Sequence, residues 1–132
     1  MAMATLNVPT GLLKTILLKE ASRAPLSAVT LIRKLSNETG GMWQPSPGSI
    51  YYLTNELESK GCLKKLVVEN ERYPKYIITQ KGKEELNSLI EGSNRDMMKL
   101  ITILKLYANN LENKIFSDEL EKLHKTLFRA SS

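Results

Sequence analysis

The most constraining feature of this chain is a change of periodicity at Gly61. Before it, apolar residues recur at three- and four-residue intervals. After it, two short runs rich in β-branched and aromatic residues, 62–69 (CLKKLVVE) and 73–79 (YPKYIIT), flank the polar triplet Asn70-Glu71-Arg72. Helical spacing buries one stripe of a cylinder, whereas β-rich runs about a turn build a ribbon. The chain therefore has to fold as helices, then a β-hairpin, and the order of these elements limits the architectures open to it.

The helical half resolves into three short segments. After Pro9, Leu12, Leu13, Ile16 and Leu17 predict a first helix that ends near Ala24-Pro25. Ser27 is an N-cap for a second helix with Ala28, Leu31, Ile32 and Leu35 on one face, ending at Gly40-Gly41. The third starts at Ser46, with Pro47 at the first helical position and Ile50, Leu53 and Leu57 at core spacing until Gly61. Beyond the hairpin, Thr79 caps a helix from Gln80, and Pro74 belongs at an edge because it cannot donate to a ladder.

The last third is helical, with Gly92-Ser93-Asn94 as a kink or a break. Met97, Leu100 or Ile101, Leu104, Tyr107 or Ala108, and Leu111 keep near-heptad spacing, with Met98, Ile103 and Leu106 beside them. A helix with one packing partner needs only one apolar stripe, so this doubled stripe predicts packing on its own domain and on a second chain as well. A final amphipathic helix is expected from about Ser117, with Leu120, Leu123 and Leu127 on one face.

Helix–helix–helix–hairpin is the element order of a winged helix-turn-helix domain, in which the third helix enters the DNA major groove. The fold class expected is mostly α (α+β), a winged helix-turn-helix domain with C-terminal dimerisation helices. The boundaries are a loose tail over 1–8, the DNA-binding domain over 9–82, and the dimerisation region over 83–132. Charge supports the expectation. The 132 residues carry a net charge of +5, and all of the excess sits in residues 1–25 (+2) and 62–81 (+3). These are the first helix and the hairpin, both of which can approach phosphates in a winged helix. Lys64, Lys65, Arg72 and Lys75 are the cations of the wing. Taken singly, each lysine reads equally well as a solvated strand residue; as a group opposite a recognition helix they favour DNA.

At about 100° per residue, Ile50, Leu53 and Leu57 set the buried direction of the third helix. Gly48, Tyr52, Asn55 and Ser59 fall opposite, Ser49 lies near the N-terminal end, and Tyr51 on the flank is open to packing or phosphate contact. Asparagine reads adenine in a bidentate way, and hydroxyls bond base edges or phosphates. Gly48 leaves the first turn bare for a close approach.

Trp43-Gln44-Pro45-Ser46-Pro47-Gly48-Ser49-Ile50-Tyr51, followed by Leu53, Leu57, Glu58, Gly61 and Leu63, resembles the signature of PadR-type transcriptional regulators. Pro74-Lys75-Tyr76-Ile77-Ile78-Thr79 with Gly82 is similar to that family's wing strand and following helix start. The resemblance covers roughly residues 10–90. It departs at Ala28-Val29, where the family usually has a glycine-tyrosine pair, and in a short wing turn whose basic run is only Arg72-Tyr73-Pro74-Lys75. It implies a homodimer that represses transcription by binding double-stranded DNA; two recognition helices about one turn of DNA apart would read an inverted-repeat operator, and the single cysteine, Cys62, fits a reducing cytoplasm. The resemblance also leaves room for a small-molecule effector whose identity the sequence does not specify.

The recognition helix is expected at about 46–60 and the wing at about 62–79. The candidate DNA-binding set is Gln44, Ser46, Ser49, Tyr51, Tyr52, Asn55, Lys64, Lys65, Arg72 and Lys75. The candidate dimerisation set is Met97, Leu100, Ile101, Leu104, Tyr107, Ala108 and Leu111. Trp43 is expected to serve as a core or staple residue, and Met97 and Met98 to pack at the dimer seam.

Nothing points to an enzyme, a cofactor or a metal. The single histidine, His124, is expected on the surface, Cys62 as a buried inert thiol, and the carboxylates are scattered along helix faces. No apolar run reaches the roughly 20 residues of a membrane span, and a secretory signal pattern is lacking. The alternative from another class is a winged helix used as a protein-interaction module, which would show an apolar patch on the third helix.

Overall fold

A computed structural model describes residues 8, 10–67 and 69–130; the tail expected over 1–8 lies almost wholly outside the described residues. The elements are α1 (Thr10–Arg23), α2 (Ala28–Glu38), α3 (Pro47–Ser59), β1 (Leu63–Leu66), β2 (Lys75–Ile78), α4 (Gln80–Glu91), α5 (Ser93–Asn110) and α6 (Lys114–Ala130). The chain divides into two compact units, Met1–Leu89 and Ile90–Ser132. The first continues past residue 82, because Gly82 and Leu86 of α4 are buried and Leu86 joins the core of that unit.

The core of the first unit collects Leu17, Leu18 and Ala21 of α1, Leu31 and Leu35 of α2, Ile50 and Leu57 of α3, then Leu63 and Tyr76 of the ribbon. Burying an aliphatic side chain of this size contributes about 1.5–3 kcal/mol, so Ile50 and Leu57 alone hold α3 firmly. Leu53 is only partly buried against the core, and Thr54, 1% exposed, takes a core place beside it. Its hydroxyl donates to the Tyr51 carbonyl at 3.1 Å, which removes the cost of burying it.

Each end of α3 is closed by chemistry local to the sequence. Ser46 is extended (φ −69°, ψ 148°) and its Oγ accepts the Ser49 N–H at 3.1 Å, with Pro47 at the first helical position. Pro45 and Ile50, the two positions a hydrophobic staple joins, are both buried. The helix ends at Ser59. Gly61, at φ +79°, bonds back to Glu58, and the Cys62 N–H reaches the Leu57 carbonyl at 2.8 Å. This pair of bonds is a Schellman close, which needs the left-handed residue that glycine supplies without strain.

The ribbon is shorter than the sequence implies. The two antiparallel strands pair only over Leu63↔Ile78 to Leu66↔Lys75, not across 62–69 and 73–79. Pro74 cannot extend the ladder, and Asn70 turns the chain with φ 72°. The other edge of β2 is also occupied: Leu26 and Tyr76 exchange both backbone hydrogen bonds, at 2.7 and 3.0 Å. Ser27 stands at the α2 N-cap position but makes no side-chain capping bond. At α4, Thr79 Oγ1 accepts the Gly82 N–H at 3.1 Å and donates to the Gly61 carbonyl at 2.5 Å, tying helix, ribbon and the end of α3 together.

In the second unit, α5 and α6 form a helical hairpin. Gly92 separates α4 from α5 while keeping a right-handed backbone (φ −81°, ψ −4°). The turn after α5 places Glu112 at φ 56°, and the Asn113 N–H bonds the Ala108 carbonyl at 2.8 Å. Asn113 Oδ1 then accepts the Phe116 N–H at 3.2 Å, so α6 begins at Lys114 rather than near Ser117. His124 is half-buried rather than a surface residue, with Nδ1 3.0 Å from Lys105 Nζ. No helix among the described residues is long and apolar enough to cross a membrane.

Candidate nucleic-acid interface

Because Ile50, Thr54 and Leu57 face inward, α3 turns Gly48, Ser49, Tyr52, Asn55 and Ser59 outward. Tyr52 is 69% exposed and Tyr51 38%. The outward face has hydroxyls, one carboxamide and no charge. The two carboxylates of α3, Glu56 and Glu58, are half-buried, and Glu56 is occupied by Lys60 at 2.8 Å. That hydrogen bond and the lysine charge hold the Glu56 carboxyl below its ordinary range, and the same bond raises Lys60. A face of this composition can make hydrogen bonds to base edges without repelling phosphates.

The foot of α3 is open. Among the described residues, an added Cβ at Gly48 would meet only Ser46 Oγ, at 4.0 Å. Gln44 is exposed just ahead of it, and Trp43 packs part-buried against the core, as expected of a core residue. Trp43, Leu13 and Leu53 floor a shallow hollow of about 660 Å³ whose rim includes Ser46, Gly48, Ser49 and Tyr52. The two serines are not independent contacts: their hydroxyls bond each other at 2.8 Å while Ser46 also caps the helix. Ser46 therefore acts first as a structural residue that orients Ser49.

The wing cations separate once the register is known. Side chains alternate along a strand, and directly opposed residues share a face. Lys65 therefore lies on the face of Leu63 and Tyr76, both buried, and Lys64 on the other face with Leu66, Lys75 and Ile77. Sequence reasoning grouped the two lysines, but they project to opposite sides. Lys75 is paired with Glu71 at 3.2 Å. Arg72, exposed, sits over the Tyr73 ring at 5.7 Å, which orders its guanidinium without neutralising it. The first helix contributes less free charge than its composition suggests. Lys14 is bound to Glu85 of α4 at 2.8 Å, and Arg23 to Glu20 at 3.4 Å. The Lys14 hydrogen bond and charge hold the Glu85 carboxyl below its usual range.

The candidate dimerisation set also divides. Ile101 and Ala108 are buried within the chain, whereas Met97, Leu100, Leu104, Tyr107 and Leu111 are exposed, Tyr107 by 63% and Leu111 by 73%. The doubled stripe is therefore one inner and one outer face. The outer face extends onto α6, which the sequence reading missed. Leu104, Tyr107, Ala108 and Leu111 line an apolar hollow of about 200 Å³ with Asn113, Phe116 and Leu120. The signal for Phe116 was a large apolar residue at the start of a helix, outside the heptad stripe.

Three short helices, a two-stranded wing and a capped third helix with a polar outward face define a winged helix-turn-helix protein. A family model described as Transcriptional regulator PadR-like family matches residues 17–88, more than half of the chain. The chain belongs to that family and is a transcriptional regulator. A comparison with curated proteins found no match. The family is one of regulators rather than enzymes, and among the described residues no group of histidine, cysteine, aspartate and glutamate is arranged to hold a metal ion.

Proposed function

We propose that this regulator binds double-stranded DNA sequence-specifically as a homodimer and represses transcription from an inverted-repeat operator. The observation that carries the reading is the division of α3 into a face buried through Ile50, Thr54 and Leu57 and an uncharged hydrogen-bonding face of Ser49, Tyr52 and Asn55. A rigid helix whose outward face carries uncharged donors and acceptors is suited to reading bases. Asn55 is the base reader, with adenine as its best partner. Ser49 and the tyrosine hydroxyls contact phosphate or base edges, and Gln44 meets the backbone beside the helix N-terminus. Lys64 and Arg72 supply the wing's phosphate contacts, with Lys65 and Lys75 as secondary cations.

The exposed stripe of Met97, Leu100, Leu104, Tyr107 and Leu111 covers itself on a second copy, with Ile101 and Ala108 holding the hairpin beneath it. A two-fold dimer reads half-sites about 34 Å apart, one turn of DNA, or a multiple of that. Repression and a cytoplasmic setting follow the resemblance to the family, and the helical region is where an effector would act on the dimer. A protein-docking role would need an apolar patch on α3, where the exposed residues are Pro47 at the first turn and otherwise glycine, serine, tyrosine and asparagine.

The test is selection of bound fragments from genomic DNA, followed by affinity for the selected site and for a shuffled duplex. Asn55→Ala is expected to reduce the discrimination between them, by about tenfold for one bidentate contact. Arg72→Ala is expected to weaken both by the same factor. Selection that yields no shared motif, or equal losses of discrimination in both variants, would overturn the reading.

A further inference from the structure

The outward face of α3 carries one large aromatic surface, the ring of Tyr52, which is 69% exposed against 38% for Tyr51 on the flank. Gly48 lies one turn before Tyr52 on the same side of the helix. Among the described residues, a Cβ at Gly48 would have only Ser46 Oγ within 4.0 Å. Gly48 and Tyr52 thus border an open step, and that step is continuous with the hollow lined by Leu13, Trp43 and Leu53. An uncharged step beside a ring and an apolar floor seats a small apolar group better than a charged or amide group.

The major groove limits what that group can be. Its base edges present acceptors, amino donors and one apolar group, the 5-methyl of thymine. A ring face has little to offer a donor or an acceptor and gains most from the methyl. We propose that Tyr52 reads a pyrimidine 5-methyl group, that of a thymine, seated between its ring and Gly48. This rests on the DNA reading of α3, and it adds a second base-specific contact to that of Asn55. Asn55 follows Tyr52 by three residues, a spacing that puts their Cβ atoms about 5–6 Å apart. Base pairs rise about 3.4 Å, so the methyl lies within about two base pairs of the adenine that Asn55 reads. The Tyr52 hydroxyl, at the far end of the ring, stays available for phosphate. Neither Gly48 nor Tyr52 brings a charge, so the contact discriminates between sequences without adding to the salt-dependent part of binding.

The test uses the full chain and a duplex selected from genomic DNA, with each thymine replaced in turn by deoxyuridine, which lacks only the methyl. At one position in each half-site affinity should fall about fourfold, the factor for one buried methyl-sized group. Replacing that thymine in both half-sites should cost about fifteenfold. Tyr52→Phe keeps the ring and should keep the factor, whereas Tyr52→Ser, at an exposed position, should bind the two duplexes equally. Arg72→Ala should weaken both and leave the factor between them unchanged. A second source of the same group is 5-methylcytosine: placed at that position, it should bind about fourfold more tightly than cytosine. The methyl contact is overturned if no position responds to deoxyuridine, or if the thymine preference survives Tyr52→Ser. Equal affinity for cytosine and 5-methylcytosine overturns it too. In each of these cases the shared motif and the Asn55 contact still stand, so the DNA reading survives. A selection without a shared motif would overturn both, since a methyl is read only within a base-specific site.

Discussion

At Gly82 an added Cβ would overlap the Cys62 carbonyl oxygen, whereas at Gly48 it would meet nothing closer than Ser46 Oγ at 4.0 Å. The first glycine is required by packing between α4 and the segment entering β1. Among the described residues no neighbour requires the second, and in the proposed reading its bare backbone leaves room for DNA. Gly48→Ala should therefore leave the fold intact and raise stability by about 0.5–1 kcal/mol, since alanine is the better helix former. DNA affinity should nevertheless fall, because the methyl group stands where the backbone of α3 meets its ligand. Thermal unfolding and a binding titration on one preparation check both halves; unchanged affinity would remove Gly48 from the interface. Thr54 carries a different lesson at this scale. A β-branched polar residue on a helix reads as surface in sequence, yet here it is core because the Tyr51 carbonyl, three residues back, accepts its proton.

Among the elements, the α5–α6 hairpin has a local weakness. Glu112 sits at φ 56°, a conformation that costs a residue with a Cβ about 1–2 kcal/mol. Glu112→Gly should raise stability by about 1 kcal/mol, read as an increase in the denaturant midpoint without a change in slope. The pair linking α1 to α4 predicts a pH dependence. Glu85 is depressed by Lys14, so its contribution is present above the ordinary carboxylate value and is lost as pH falls through the lowered folded-state value. The pair is partly exposed, so solvent screening limits it to about 0.5 kcal/mol at neutral pH. The gap between the protein and Glu85→Gln should close as pH falls below the ordinary carboxylate value and through the lowered folded-state one; a gap that persists at acid pH would show that the contact is not ionic. The helix order and the caps of α3 were legible because Ser46, Pro47 and Gly61 act through neighbours in the chain. The single Leu26↔Tyr76 bridge was not, since one residue pair has no periodicity. Nor was the opposite projection of Lys64 and Lys65, which depends on a register that begins with Leu63 facing the core.

The whole molecule presents two surfaces of unlike chemistry: a polar face with a basic wing in the first unit, and an apolar face in the second. Leu104, half exposed, is central to the apolar one. Leu104→Glu should give a monomer in sedimentation at about 10 µM, a concentration well above the dissociation constant of a stable dimer. The fold should be retained and operator affinity sharply lost, and a monomeric unsubstituted protein would contradict the dimer. The central claim, that these surfaces together make a DNA-binding regulator, is tested most directly by the salt dependence of affinity for a selected genomic fragment. With about two phosphate contacts from each protomer, log K should fall against log salt with a slope of about −3 to −5. The selected site should stay tighter than a shuffled duplex throughout. A slope near zero, or no difference between the two duplexes at any salt concentration, would contradict the account.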